Sequence, residues 1–241
     1  MKTVGILGGM GPAAGADFVR LFVQACTVCM HEAGQQVNDQ NFPEHWLAQV
    51  PIPDRSMALQ DTKTGFQQPL EPMLQSLGKL AALGAHSVAI ACNTAHAWHA
   101  QLQSRFPQLE LLNIADEVAS NLASRKIKEV ALLATTGTYL TGIYEYALKS
   151  QGILCYVPNM VERDCIMRGI YKGVKANDLQ YARECIEKVA GNMTHRHGEI
   201  PMIMGCTEIP LALAESRIIE VKKCIDPAQM LAQALAKRAY S

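Results

Sequence analysis

Along the chain, short runs of consecutive apolar residues alternate with longer stretches whose apolar residues recur every three or four positions. Thr3-Val4-Gly5-Ile6-Leu7 is the first such run. It is closed by Gly8-Gly9-Met10-Gly11-Pro12, after which Phe18, Leu21, Phe22 and Ala25 fall at helical spacing. This predicts strand, glycine loop, helix. A weaker, more polar strand near Trp46 to Val50 leads into Pro51-Ile52-Pro53-Asp54-Arg55, where two prolines predict an extended loop. Pro69 to Leu83 reads as an amphipathic helix, with Leu70, Met73, Leu74, Leu77 and Leu80 on one side and Gly84 as its stop. Ser87-Val88-Ala89-Ile90-Ala91 is continuous in the way of a central parallel strand, and it ends at Cys92-Asn93-Thr94-Ala95-His96.

The second half repeats this outline. Glu129-Val130-Ala131-Leu132-Leu133 is an apolar strand that opens into Ala134-Thr135-Thr136-Gly137-Thr138, as Val4 to Pro12 did. Ile200 to Met204 is an apolar strand ending at Gly205-Cys206-Thr207-Glu208, as Val88 to Thr94 did. The two cysteines are about 114 residues apart, a period that indicates a duplicated lobe rather than a solenoid. The expected fold class is therefore α/β, with two similar, pseudo-symmetric lobes. Each is a parallel sheet flanked by helices, and the active site lies in the cleft between them. The lobes are expected at 1–110 and 111–224, divided near Pro107 to Asn113, and a last helix from Pro227 to Ala239 within 225–241 joins the first lobe.

Ligands of open α/β sheets bind outside the carboxyl ends of the strands. Cys92 and Cys206 both fall there, each near the start of a following helix, whose dipole lowers a thiol's pKa from about 8.5 toward neutrality. Two thiols on opposite sides of one carbon suit the inversion of a stereocentre that bears a weakly acidic hydrogen. One thiolate removes the hydrogen from one face and the opposite thiol supplies another to the other face.

Composition narrows the alternatives. Lysine plus arginine and aspartate plus glutamate stand at 22 each with no like-charge run, so neither nucleic acid nor an anionic membrane is an expected partner. Polar residues or glycines interrupt every apolar run well before the ~20 residues of a bilayer span, and the breakers Gly5 to Pro12 argue against a signal peptide. Eight cysteines in a chain with 49% hydrophobic residues read as reduced thiols, most of them packed in a core, which suits a cytoplasmic protein. Gly8-Gly9-Met10-Gly11 lacks the spacing of a dinucleotide fingerprint. Cys26-x-x-Cys29 has no second pair and lies inside a predicted helix, so it reads as packing rather than as a metal site. His195 and His197 are expected in a solvated loop, and His96 and His99 one turn apart on the helix after Cys92.

Five phrases together give a specific resemblance: Gly5 to Pro12, Pro53-Asp54-Arg55, Cys92 to His96, Leu132 to Thr138, and Gly205-Cys206-Thr207-Glu208. In this order they resemble the aspartate/glutamate racemase family, most of all its aspartate racemases. The resemblance implies racemisation of a small acidic amino acid by Cys92 and Cys206, without pyridoxal phosphate, metal or any other cofactor, in a homodimer. It further implies that Asn93, Thr94, Thr207 and the backbone at Met10 hold the α-carboxylate and ammonium, and that Arg55 and Lys175 clasp the side-chain carboxylate. His96, Thr136 and Glu208 stand close behind them. Glu208 occupies the place where the glutamate racemase branch has a histidine, and the polar strand ending in Ala48-Gln49 departs from the family pattern. Two other readings stay open: the same thiol pair acting on another small acid or a hydantoin, and a binding protein without catalysis.

Overall fold

The computed structural model describes residues 1–61, 63–214, 216 and 224–241. In chain order the strands and α-helices are β1 (Val4–Gly8), α1 (Pro12–Glu32), β2 (His45–Gln49), α2 (Arg55–Gln60), α3 (Leu70–Ala82), β3 (Ser87–Ile90), α4 (His99–Arg105), β4 (Glu110–Leu111) and α5 (Ile114–Ser124). They continue as β5 (Glu129–Ala134), α6 (Thr136–Thr141), α7 (Ile143–Ser150), β6 (Leu154–Tyr156), α8 (Met160–Arg168), α9 (Leu179–His197), β7 (Met202–Gly205), α10 (Ile209–Leu213), β8 (Cys224–Ile225) and α11 (Pro227–Tyr240). The chain divides into one unit of Met1–Glu117 with Ala228–Ser241 and a second of Val118–Pro227. The division falls inside α5, a few residues beyond the place expected from the sequence.

In the first unit the strands run in the order β2-β1-β3-β4, all parallel. The period-two alternation sorts their side chains between two layers. Val4, Ile6, Ala89 and Ala91 pack on Phe18 and Phe22 of α1 and Leu231 and Leu235 of α11. Leu7, Val88 and Ile90 pack on Met73, Leu77 and Leu80 of α3. α11 is tied down by the Lys2 amide donating to the Ala239 carbonyl (2.8 Å) and by Arg238 pairing with Glu110 and Glu117. By length and composition alone α1 could cross a bilayer, which the interrupted apolar runs did not suggest. Its Phe18, Phe22, Cys26 and Met30 are instead buried in this core, and burial pushes the Cys26 thiol up to about 12.

The second unit repeats the order as β6-β5-β7-β8, again all parallel. Ala131, Leu133, Met202 and Met204 form a core with Ile166 of α8 and Ile186, Val189 and Met193 of α9. Asn159 and Glu162 cap α8 reciprocally, and Arg196 grips Glu162 with two hydrogen bonds of 2.7 Å while Asn192 adds a third at 3.0 Å. These bonds, Arg196's above all, hold the Glu162 carboxyl down at about 2. The same grip explains a correction: His195 and His197 lie in the last turn of α9, not in a loop, and His197 stacks on Tyr156 at 4.1 Å between ring centroids.

Candidate active site

At the carboxyl end of β1 the chain turns through Gly9, whose φ of +90° suits glycine and whose position leaves no room for a side chain, because a Cβ would lie 2.1 Å from the Val50 carbonyl oxygen. The polar end of β2 has its reason here. Gln49 donates from Nε2 to the Pro12 carbonyl (2.8 Å), and its amide lies over Gly8 where a Cβ would meet Oε1 at 2.2 Å. The departure from the family pattern at Gln49 thus latches the Met10 loop.

Arg55 is placed otherwise than the two prolines suggested. It is the first residue of α2, capped by Asp54, whose side chain accepts from the Met57 amide at 2.9 Å. The side chain is buried, and its guanidinium donates to the carbonyls of Ile52 (3.1 Å), Pro53 (3.2 Å) and Met10. Arg55 therefore binds its own loop to the Met10 loop, and Met10 itself is buried.

Cys92 follows β3 and is buried together with Asn93, Thr94 and His96. A 3-10 turn over Thr94–Trp98 comes next and α4 begins only at His99, so the long dipole expected behind the thiol is absent. His96 is thus in that turn rather than on an α-helix. Its Nδ1 donates to the Cys92 carbonyl at 2.9 Å, and burial, ahead of the charge of His99, holds the ring down at about 4. It is neutral at pH 7 and braces the backbone that carries Cys92.

Cys206 occupies the equivalent place in the second sheet, directly after β7. The helix behind it, α10, is again short, five residues with a proline in its first turn. Here a carboxylate approaches the sulfur. Glu208 Oε2 accepts from Cys206 Sγ at 2.9 Å and from Thr207 Oγ1 at 3.2 Å, and all three residues are buried. Tyr144 of α7, fully buried, was not singled out from the sequence. Its phenol is pushed well up by burial and then by the charges of Asp226 and Cys206. No local pattern marks such a residue, since a tyrosine on an apolar helix face looks like core. Thr136 opens α6, its amide donating to Met167 Sδ at 3.3 Å, after Thr135 has capped the helix. Lys175 sits in a tight turn over Val174–Ala176 that packs on α10; it is exposed, and its ammonium lies 4.2 Å above the Tyr171 ring.

Burial raises the thiols of Cys29, Cys155, Cys185 and Cys224, with Cys155 at about 12, which suits packing rather than acid-base work. Among the described residues no three histidine, cysteine, aspartate or glutamate side chains cluster as a metal site requires.

Comparison with known proteins bears on the fold and the family. The structure of an aspartate racemase from Picrophilus torridus superposes with a TM-score of 0.79 at 32% identity, covering 100% of this chain and 95% of that one. An aspartate racemase homologue from Pyrococcus horikoshii OT3 gives 0.73 at 23% identity over the whole of both chains, a likeness of fold. A broad specificity amino-acid racemase from Bacillus subtilis (strain 168) is 23% identical over 230 residues, 92% of this chain and 94% of that protein. The profile of the Asp/Glu/Hydantoin racemase family matches residues 7–235. With two parallel sheets of one strand order, each ending in a buried cysteine, the chain belongs to that family and is an amino-acid racemase.

Proposed function

We propose that the chain interconverts the enantiomers of an acidic amino acid, aspartate before glutamate, with Cys92 and Cys206 acting on opposite faces of the α-carbon. The observation that supports this reading most is the equivalence of the two thiols, each directly beyond the third strand of its sheet and each buried with a threonine beside it or one residue on. In one direction the Cys92 thiolate takes the α-hydrogen as a proton and becomes a thiol. The carbanion keeps the electron pair, and the Cys206 thiol protonates it from the other face and becomes the thiolate. The reverse reaction starts from that state. Side chains carry every step, so neither pyridoxal phosphate nor a metal is needed.

Asn93, Thr94, Thr207 and the Met10 loop backbone are assigned to the α-carboxylate and ammonium, and Arg55 with Lys175 to the distal carboxylate. The likeness to an aspartate racemase at 32% identity over the whole chain favours aspartate. The Bacillus relative, named for broad specificity, favours a second reading in which several amino acids are accepted. Incubation of each enantiomer of aspartate, glutamate, alanine and serine in deuterated water tests both. Inversion with loss of the α-hydrogen signal is expected fastest for aspartate, and it should survive dialysis against chelator and hydroxylamine but not thiol alkylation. Faster turnover of the neutral amino acids would overturn the acidic assignment.

A further inference from the structure

We propose that Cys165 and Cys185 are a reversible disulfide site that staples α8 to α9 by exchange with a small disulfide such as glutathione disulfide, separate from the thiols assigned to racemisation. The packing of the two helices brings the pair together. Beyond Cys165, α8 runs on into a wide turn over Gly169–Gly173. Both of these glycines press on α9. A Cβ at Gly169 would lie 2.9 Å from the Cys185 Cβ, and one at Gly173 would lie 2.6 Å from the Ala182 Cβ. Only glycine lets two backbones come so near. Cys165 stands four residues before Gly169 and so on the same side of its helix. Its sulfur reaches across the crossing to 3.7 Å from the Cys185 carbonyl oxygen, and the two side chains hydrogen-bond. Both thiols are free, and no helix has to move to bring them together.

The two members differ in access, which gives each its part in the exchange. Cys165 is half-buried, with the Arg168 side chain hydrogen-bonded to it. Cys185 is buried, and burial, ahead of the charge of Cys165, raises its thiol while a hydrogen bond with Tyr181 works the other way. A disulfide arriving from solvent therefore meets Cys165 first. Cys165 gives its proton to water, and its sulfur attacks one sulfur of glutathione disulfide. That S–S bond breaks; one glutathione leaves as a thiolate and is protonated by water, while the other stays bonded to Cys165. Cys185 then gives its proton to water, and its sulfur attacks Cys165 Sγ and expels the second glutathione, which is protonated in turn. Two protein thiols are oxidised by two electrons, and one glutathione disulfide is reduced to two thiols.

The bond joins residues 20 apart in sequence and closes a loop that includes the turn carrying Lys175. Such a loop restricts the unfolded chain far more than the folded one, in which the helices already touch. Cys165 also packs against the core of Ile166, Ile186 and Met193, so the staple holds the centre of the second unit rather than its edge. Its effect is on stability: the unit resists unfolding more strongly when thiols around it are being oxidised.

The test compares the wild type, Cys165→Ser and Cys185→Ser. Each is fully reduced, then equilibrated with glutathione disulfide at about pH 8, where enough thiolate forms for exchange. Remaining thiols are blocked with N-ethylmaleimide, and tryptic peptides are read by mass without reductant. The wild type should give the peptide Asp164–Arg168 joined to Glu184–Lys188, at least about tenfold above any other cysteine pairing, and dithiothreitol should remove it. Cys185→Ser, which lacks the second attacker, should hold one glutathione on Cys165. Cys165→Ser should show neither the link nor glutathione on buried Cys185. The oxidised wild type should unfold at a higher urea concentration than the reduced protein, and Cys165→Ser should show no such rise. A wild type that forms the link only after unfolding in urea, or not at all, would overturn the proposal, as would a midpoint that falls on oxidation. The peptide map needs no substrate and no variant, so its outcome is independent of the racemase reading and of how well the serine proteins fold.

Discussion

The first and second sheets run in the same order, yet different polar residues stand at their cysteine ends. Beyond β3, Cys92 is buried with Asn93, Thr94 and His96, and burial holds the His96 ring neutral at pH 7. Beyond β7 a buried carboxylate touches the sulfur. The two sheets offer topologically equivalent positions, and the residue two places after each cysteine differs, Thr94 in one and Glu208 in the other. In the proposed two-thiol reaction either thiol starts a turnover as the base, depending on which enantiomer is bound, so both places must serve in both roles.

The most direct way to break the comparison is to remove either sulfur. Cys92→Ala and Cys206→Ala should each lower racemisation by about 10²- to 10⁴-fold, the usual contribution of a positioned acid or base, with an unchanged unfolding midpoint in urea. Alanine at Cys26, Cys155 or Cys224 should leave turnover within about twofold, because thiols held up by burial do not exchange protons near neutral pH. Near-normal activity in either of the first two variants would end the two-thiol mechanism.

The elements were legible where the physics is local. The strands show as apolar runs, and α3 shows by its period of 3.6, ended by Gly84 with its φ of +85°. Both cysteines were legible because a strand's carboxyl end is marked by where its apolar run stops. What stayed hidden depends on contacts distant in sequence. Nothing near Arg55 announces that its guanidinium turns back to the Met10 carbonyl, and nothing near His197 announces that Arg196 holds the end of α9 to Glu162. The long helices expected directly behind both thiols are not there: a 3-10 turn precedes α4, and α10 spans only Ile209–Leu213.

Arg55 sharpens the comparison from the substrate's side, because it belongs to the first unit and Lys175 to the second. Arg55→Leu should lower kcat/KM for acidic amino acids by about 30- to 300-fold, or about 2–3.4 kcal/mol, with a smaller loss for neutral ones. It strips the Ile52, Pro53 and Met10 carbonyls of donors, so the urea midpoint should fall as well. Lys175→Met, at an exposed position, should raise KM for acidic substrates by about threefold without changing the midpoint. Equal losses on acidic and neutral substrates in Arg55→Leu would restrict Arg55 to shaping the Met10 loop.

The smallest effect expected concerns His96, the brace behind Cys92, and it separates the two units by pH. Its folded pKa, about 4, lies below the ordinary value of 6.5, so the unfolded chain binds a proton that the folded one refuses. The sign follows: the stability that comes with a neutral His96 is complete above pH 6.5 and is lost as pH falls toward 4. At pH 5 the loss should reach about 2 kcal/mol relative to pH 7, at about 1.4 kcal/mol for each pH unit below 6.5. His96→Gln removes the titration while keeping an amide able to donate to the Cys92 carbonyl. Urea midpoints measured for both proteins at pH 7 and pH 5 should show the variant losing less on acidification than the wild type. Glu162 lies in the second unit and titrates only near pH 2, so it contributes equally to both proteins over this range and cancels in the difference. If wild type and variant fell in parallel, His96 would take up its proton in the folded protein over the same range as in the unfolded chain, and at pH 5 Cys92 would have a cation beside it rather than a neutral brace.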